Sequence, residues 1–441
     1  MQQILDLHIH SRYSRACSPQ LTLENIDKVC RTKGIDIVAT GDFTFPEWFS
    51  SIKNELEMIH TPNPSQEGNS DVGLYKLKSA KDNKISFILS TELALIYKDN
   101  DKCRRIHIMI QAPNIEAVEE LNKYLDKKYN IRSDGRPILG MSAPDLVKLC
   151  LSIHPKFLIY PAHIWTPWFA VFGSKSGFDT MEECFHEQVG HIYAYETGLS
   201  SDPEMNWRMS ALDNLTLLSN SDAHSLVNIG REANVMDLDK ITYDEIYNVI
   251  SLRESRTTNA AHANRKGSRM KYTIEFYPEE GMYHYDGHRE CGVRFTPEET
   301  KKNKGTCPKC KKPLVVGVMS RVEELANRRA GAKPERTAGF KKLVELDKII
   351  AESLNIKSRN SRKVQQEYNN LIKEVGSELY ILMEADLDKI KSAAYPEIVE
   401  GIRRVRKGEL IIEPGFDGQY GTVKIFKDEE KKDKQQPFPS F

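Results

Sequence analysis

The chain of 441 residues has no apolar run long enough to span a bilayer and no apolar h-region behind its first residues, which argues against a membrane-spanning or secreted protein. Its eight cysteines include five, Cys17, Cys30, Cys103, Cys150 and Cys184, that show no paired spacing. These read as small buried apolar residues, and together with the missing leader they place the protein in a reducing, soluble, cytosolic setting. An excess of either charge is lacking too: 63 Lys and Arg balance 63 Asp and Glu, so composition alone does not announce a nucleic-acid binder. No serine or cysteine nucleophile with an adjacent base is visible, and no nucleotide cofactor is expected.

What is present is a recurrence. The first strand ends in Asp6-Leu7-His8-Ile9-His10, and residues two apart on a strand share a face, so His8 and His10 point to one place. Later apolar runs stop in the same manner. Residues 35–40 lead to Asp42, 85–89 to Glu92, 157–161 to His163, 192–195 to Glu196 and 215–218 to Asp222 and His224, while the strand 105–111 carries His107. Such β-rich runs suit strands buried on both faces. A helix opening at Thr22, with Ile26, Val29 and Cys30 on one side and Gly34 at its end, typifies the segments between them. The pattern predicts an α/β fold, a parallel barrel of roughly seven strands with its site at the strand C-termini.

These residues resemble the polymerase and histidinol phosphatase (PHP) superfamily, whose members form a distorted seven-stranded barrel around two or three metal ions and hydrolyse phosphoesters. The resemblance implies metal ligands at His8, His10, Asp42, Glu92, His107, His163, Glu196, Asp222 and His224, with Glu196 either a ligand or a partner that orients a histidine. It departs from the family at Gly41-Asp42-Phe43, where many members have T-D-H; Asp42 then acts alone. Mixed imidazole and carboxylate ligands suit Zn²⁺, Mn²⁺ or Fe²⁺, with Mg²⁺ admissible. Clustered cations would activate water as the attacking group, with Asp222, His8 and Asp42 at the centre of the chemistry. Arg231 is placed to clamp the scissile phosphate or to pair with Glu232.

After the barrel, His288-Arg289-Glu290-Cys291 and Cys307-Pro308-Lys309-Cys310 have the spacing of a closed tetrahedral zinc site, with His284 competing with His288. Thr296-Pro297-Glu298-Glu299 reads as a helical turn between the two knuckles. Basic clusters follow at Lys301, Lys302, Lys304, Lys309, Lys311 and Lys312, then at Arg328-Arg329, Arg403-Arg404 and Arg406-Lys407; they are either a track for a phosphate backbone or a solvated face. Residues 322–327, 340–353 and 363–383 have helical periodicity, and 413–426 reads as turns plus one strand. The expected division is a barrel over 1–265, a zinc module over 266–320, a helical domain over 321–426 and a disordered tail over 427–441.

This order of parts, closed by Pro414-Gly415-Phe416-Asp417-Gly418-Gln419-Tyr420-Gly421, resembles the endonuclease Q family of DNA repair enzymes. The resemblance implies nicking 5′ to uracil, hypoxanthine or xanthine in DNA, extending to abasic sites, with 3′-hydroxyl and 5′-phosphate products. Base choice requires a flipped nucleotide. Trp165, Trp168 and Phe169 are candidates to stack on it, and Ser174, Lys175 and Ser176 to hold a flanking phosphate, against the plainer reading that the loop is packing. Gln435, Phe438 and Phe441, at three-residue steps, look like an abbreviated sliding-clamp peptide. The alternatives are a small-molecule phosphatase on the same barrel and an inactive zinc-containing DNA-binding scaffold.

Overall fold

The computed structural model describes residues 1–62, 69–251, 267–335, 337–427 and 429–430. Its strands begin with β1 (Gln2–Asp6), β2 (Ile37–Ala39), β3 (Leu56–Pro62), β4 (Asn69–Leu77), β5 (Ser86–Asp99), β6 (Lys102–Ala112), β7 (Ile138–Leu139), β8 (Leu158–Pro161), β9 (Ala194–Glu196) and β10 (Thr216–Leu218). β1, β2 and β5 are parallel neighbours, and β9 and β10 are parallel as well. The gap between β8 and β9 is spanned by Ile164 N–H donating to the Glu196 carbonyl at 3.1 Å. An isolated parallel bridge between Ile9 and Ala223 joins the exits of β1 and β10. The result is a distorted barrel of seven strands, β1, β2, β5, β6, β8, β9 and β10, with β4 and β7 attached to β5 and β3 attached to β4.

One strand corrects the parallel expectation. β6 runs antiparallel to both β5 and β8. Its cause is the tight turn at Asn100 and Asp101, whose φ values of 46° and 60° are the paired positive φ of a type I′ hairpin. Because the β5–β6 hairpin overshoots the barrel mouth before returning, His107 still comes back to the level of Ala94, beside Glu92.

The first helix, Leu23–Lys33, follows its local chemistry: the Thr22 hydroxyl accepts from Asn25 N–H at 3.3 Å, and Gly34 closes it at φ 89°. Its buried Leu23, Ile26 and Cys30 join the main core; each large apolar side chain so buried contributes about 1.5–3 kcal/mol.

β11 (Ala233–Asp237) and β12 (Arg269–Glu275) continue the sheet antiparallel beyond β1, so residues 269–275 lengthen the barrel sheet instead of opening a zinc module at 266. β13 (Asp286–His288) and β14 (Val293–Phe295) form a small hairpin followed by the helix Pro297–Lys302 with a capping box at Thr296 and Glu299. β15 (Gly339–Lys342) pairs with β12, which replaces the helix expected from 340: the free edge of β12 offers a ladder to an alternating segment, and the helix starts only at Leu346. The expected helix 363–383 is two, Arg362–Glu374 and Glu378–Met383, separated at Gly376 with φ 144°. The end segment has two strands rather than one, β16 (Ile411–Glu413) and β17 (Thr422–Lys424).

Most of the downstream arginines are engaged in structure. Arg328 reaches Asp213 and the Trp207 carbonyl; Arg403 holds Glu400 and Glu409; Arg406 caps the carbonyls of Ile381, Leu382 and Ala385. Arg404 grips Glu430 at 2.9 Å, so ordered contacts run past the expected boundary at Lys427. Gln435, Phe438 and Phe441 lie outside the described residues. No helix among the described residues is long and apolar enough to cross a membrane.

Candidate metal centre

His8 and His10, on the extension of β1, are wholly buried and are oriented in the same way by different acids. Nδ1 of His8 donates to Glu196 at 3.0–3.1 Å, and Nδ1 of His10 donates to Asp42 at 3.0 Å. Both Nε2 atoms then face one spot. His10 Nε2 is 3.2 Å from Glu92 Oε2 and 3.1 Å from Asp222 Oδ1; His8 Nε2 is 3.6 and 3.5 Å from the same atoms. Burial opposes charging either histidine, but the surrounding carboxylates outweigh it and hold both pKa values well above that of free imidazole.

Glu92 belongs to a second cluster as well. Its other oxygen, Oε1, lies 2.7 Å from His107 Nδ1 and 3.0 Å from His163 Nε2, and those two nitrogens are 3.2 Å apart. Burial drives His107 down to about 4 despite Glu92, while burial of Glu92 is overridden by His107, Arg136 and His8, which keep it well below the usual carboxylate range.

The donor sets fit divalent cations. Within each cluster the ligand atoms lie within 4.8 Å of one another, and His8 Nε2 is buried with no hydrogen-bond partner, an arrangement a cation relieves. Three site residues, Asp42, His163 and Asp222, hold φ values of 48°, 30° and 45°. Such strain in side-chain-bearing residues collects at functional sites.

Not every expected ligand points at the clusters. Asp42 uses its oxygens on His10 Nδ1, Ser11 N–H, and the Ser11 and Ser14 hydroxyls, and it is outside both clusters. Glu196 accepts from His8, from His163 N–H at 2.9 Å and from Asn220 at 2.8 Å, and so takes the orienting role. His224 packs against His10 with ring centroids 4.5 Å apart and turns Nδ1 to the Asp222 carbonyl; it is outside both clusters. Arg231 donates through Nε to the Ser221 carbonyl at 2.9 Å, bracing the turn that carries Asp222, and its charge also acts on the buried Glu232.

Arg136, whose Nη1 donates to Glu92 Oε2 at 2.9 Å, lies outside the ligand pattern read from the strand ends. Its one signal is a turn, Asp134-Gly135, directly ahead of a cation. Ser11, Ser14 and Asn220 were missed for the same reason: small polar residues acquire meaning only from what they face.

Away from the barrel mouth, His288, Cys291, Cys307 and Cys310 converge within the same 4.8 Å limit, with His288 Nε2 3.8 Å from Cys310 Sγ, as tetrahedral zinc ligation requires. His284 is not in this set; its ring lies against Tyr285. Among the described residues the module's buried apolar cluster is Val293, Cys307 and Leu314, with Cys291 and Phe295 packed against it, a small core for a unit without a metal.

The aromatic loop divides. Trp165 is 1 % exposed, hydrogen-bonded through its indole N–H to Asn206 at 2.7 Å, and is packing. Trp168 is 41 % exposed and meets Tyr283 edge to face at 5.6 Å, while Phe169 lies over His107 at 4.7 Å. Ser174 and Lys175 are exposed; Ser176 instead pairs with the backbone of Arg105.

Comparison with known proteins agrees with this layout. The family model described as the MJ0043 C-terminal domain matches residues 345–409. The uncharacterized protein MJ0043 of Methanocaldococcus jannaschii is 33 % identical over 261 residues, 59 % of this chain but 31 % of that protein, so the chain spans about a third of its length. The crystal structure of the lesion-specific endonuclease PfuEndoQ from Pyrococcus furiosus superposes with a TM-score of 0.80 at 27 % identity, covering 98 % of this chain and 99 % of that one. Endonuclease Q in complex with a 27-mer duplex bearing an abasic lesion at the active site gives 0.79 at 28 % identity, over 97 % and 98 % of the two chains. From the barrel through the Cys and His module to the C-terminal helices, this chain has the architecture of endonuclease Q.

Proposed function

We propose that this protein is a metal-dependent DNA repair endonuclease that hydrolyses the phosphodiester 5′ to uracil, hypoxanthine or xanthine and at abasic sites, leaving 3′-hydroxyl and 5′-phosphate ends. The observation that carries the reading is Glu92, whose two oxygens face two separate ligand clusters in the mouth of a barrel that matches a lesion-specific endonuclease along nearly its whole length.

His8, His10, Glu92 and Asp222 would hold one cation, and Glu92, His107 and His163 another. Divalent ions bound there lower the pKa of coordinated water and neutralise charge on the phosphate. The protein's own part is orientation: Glu196 and Asp42 fix the rings of His8 and His10, and Arg231 braces the Asp222 turn. Trp168, Phe169 and Tyr283 supply apolar faces at the mouth for a displaced base. The exposed Lys301, Lys302, Lys304, Lys311 and Lys312 on the Cys and His module support contact with the duplex backbone. The spacing of Gln435, Phe438 and Phe441 supports a further contact with a sliding clamp.

Metal-loaded protein incubated with end-labelled duplexes carrying one uracil, hypoxanthine or abasic site, beside an undamaged duplex and histidinol phosphate, tests the reading. A single nick 5′ to each lesion is expected. Release of phosphate from histidinol phosphate with intact duplexes would establish the small-molecule phosphatase instead, and binding without cleavage the scaffold.

A further inference from the structure

Arg136 stands in the mouth of the barrel in an unusual position for a cation. Its Nη1 donates to the same Glu92 oxygen that faces His8 and His10, so a positive charge lies beside a carboxylate whose other neighbours are candidate ligands for metal. Among the described residues Glu92 is the only side chain hydrogen-bonded to its guanidinium, with the charges of Asp222 and Asp134 near by, and the side chain is 24 % exposed. A guanidinium carries five donors in a planar fork, and one buried for structure alone engages more of them, as Arg404 and Arg406 do. Here the free edge is left at the opening of the site.

The backbone holds it there. Asp134 accepts from Arg136 N–H at 3.0 Å, Gly135 N–H donates to the Tyr13 carbonyl at 3.0 Å, and Ala94 N–H donates to the Pro137 carbonyl at 3.1 Å. A Cβ at Gly135 would fall 2.4 Å from Ser14 Oγ and 2.5 Å from Asp42 Oδ2, so the turn is pressed against the wall that orients His10. The arrangement is pre-organised on both sides of the arginine. Extra positive charge next to a cation site is unfavourable unless an anion shares it, and the free edge of a guanidinium matches two phosphate oxygens.

Resting on the phosphodiesterase reading above, we propose that Arg136 is a catalytic residue that binds a non-bridging oxygen of the scissile phosphate. Nη1 stays on Glu92 and fixes the plane of the fork, while the remaining N–H groups face the oxygen on which charge builds during phosphoryl transfer. Arg231 uses Nε on the Ser221 carbonyl and so braces the turn that carries Asp222.

The test compares wild type with Arg136→Gln and Arg136→Lys. It uses single-turnover cleavage of a duplex with one abasic analogue whose scissile linkage is phosphate, or phosphorothioate of either configuration. Arg136→Gln should slow cleavage about 10²–10³-fold, with bound metal unchanged and partial recovery in Arg136→Lys. The rate difference between the two phosphorothioates in wild type should collapse in the Gln variant. Loss of metal from Arg136→Gln with the phosphorothioate difference intact, or cleavage within about threefold of wild type, would overturn the proposal. Calorimetric titration of the metal-loaded proteins with inorganic phosphate needs no DNA. Weakening of about tenfold or more in Arg136→Gln is expected there even if wild type cuts no lesion duplex, which would defeat the functional reading alone; equal phosphate affinity would defeat the Arg136 assignment.

Discussion

Nδ1 of His8 lies 3.0 Å from Glu196 Oε2, and the remaining capacity of that carboxylate is filled by Asn220 and by the backbone N–H of His163. One buried acid therefore sets the ring plane of a residue facing the first cluster and the backbone position of a residue in the second. Glu196→Gln removes the charge behind His8 with little change of shape. Metal affinity is expected to drop about 10–100-fold without unfolding, and Asp42→Asn should do the same through His10. Competition with a chelating dye measures this; unchanged affinity in both variants would remove the orienting role.

The two tryptophans of the loop after His163 should separate cleanly. Trp165→Ala empties a buried, hydrogen-bonded position and is expected to cost about 3–5 kcal/mol in urea unfolding. Trp168→Ala should leave stability within about 0.5 kcal/mol while weakening lesion-duplex binding by about 1–3 kcal/mol, read by fluorescence anisotropy. Equal effects of the two on both measurements would contradict the assignment.

Cys307→Ser should release the zinc of the small module. Because its buried apolar cluster is as small as Val293, Cys307 and Leu314 with Cys291 and Phe295 against them, hydrogen exchange protection across 286–315 should disappear while that of the barrel strands persists. The turn 414–421 should loosen with it, since Asp417 accepts from Arg289 N–H at 2.7 Å and Phe416 bridges Tyr285. Retention of zinc by the variant would show that the four residues are not its ligands.

Acid and base stability reports on a pair buried behind the site. Burial, with the charge of Asp202, pushes Glu275 from an ordinary value of 4.5 up to about 8, and burial with the charge of Glu275 raises Glu232 strongly as well. Below about 4.5 both folded and unfolded chains carry these protons; between about 4.5 and 8 the folded chain alone holds the Glu275 proton, so stability falls as pH rises through that window. Glu275→Gln should flatten the fall in a series of melting temperatures. An unchanged slope would contradict the buried, protonated state.

Much of the site was legible because strands alternate. His8 and His10 are two apart, and Glu92, His163 and Asp222 follow apolar runs, so period and position together pointed inward. The convergence of His288, Cys291, Cys307 and Cys310 was equally plain from spacing. What escaped was whatever depends on partners far away in sequence. Arg136 meets Glu92 across 44 positions from a loop with no strand to aim it. The arginines at 403, 404 and 406 read as a basic patch, yet carboxylates and helix carbonyls consume them. Burial of Trp165 and exposure of Trp168 differ by three residues, which composition cannot resolve. The segment at Phe340 carried helical periodicity and became a strand because β12 had an unpaired edge.

The central claim is that Glu92 joins two cation sites, one through each oxygen. Anomalous diffraction from crystals loaded with Mn²⁺ or Zn²⁺ tests it directly. Two peaks are predicted, one among His8, His10, Glu92 and Asp222 and the other among Glu92, His107 and His163. Peaks that avoid Glu92, or none in the barrel mouth, would contradict the account.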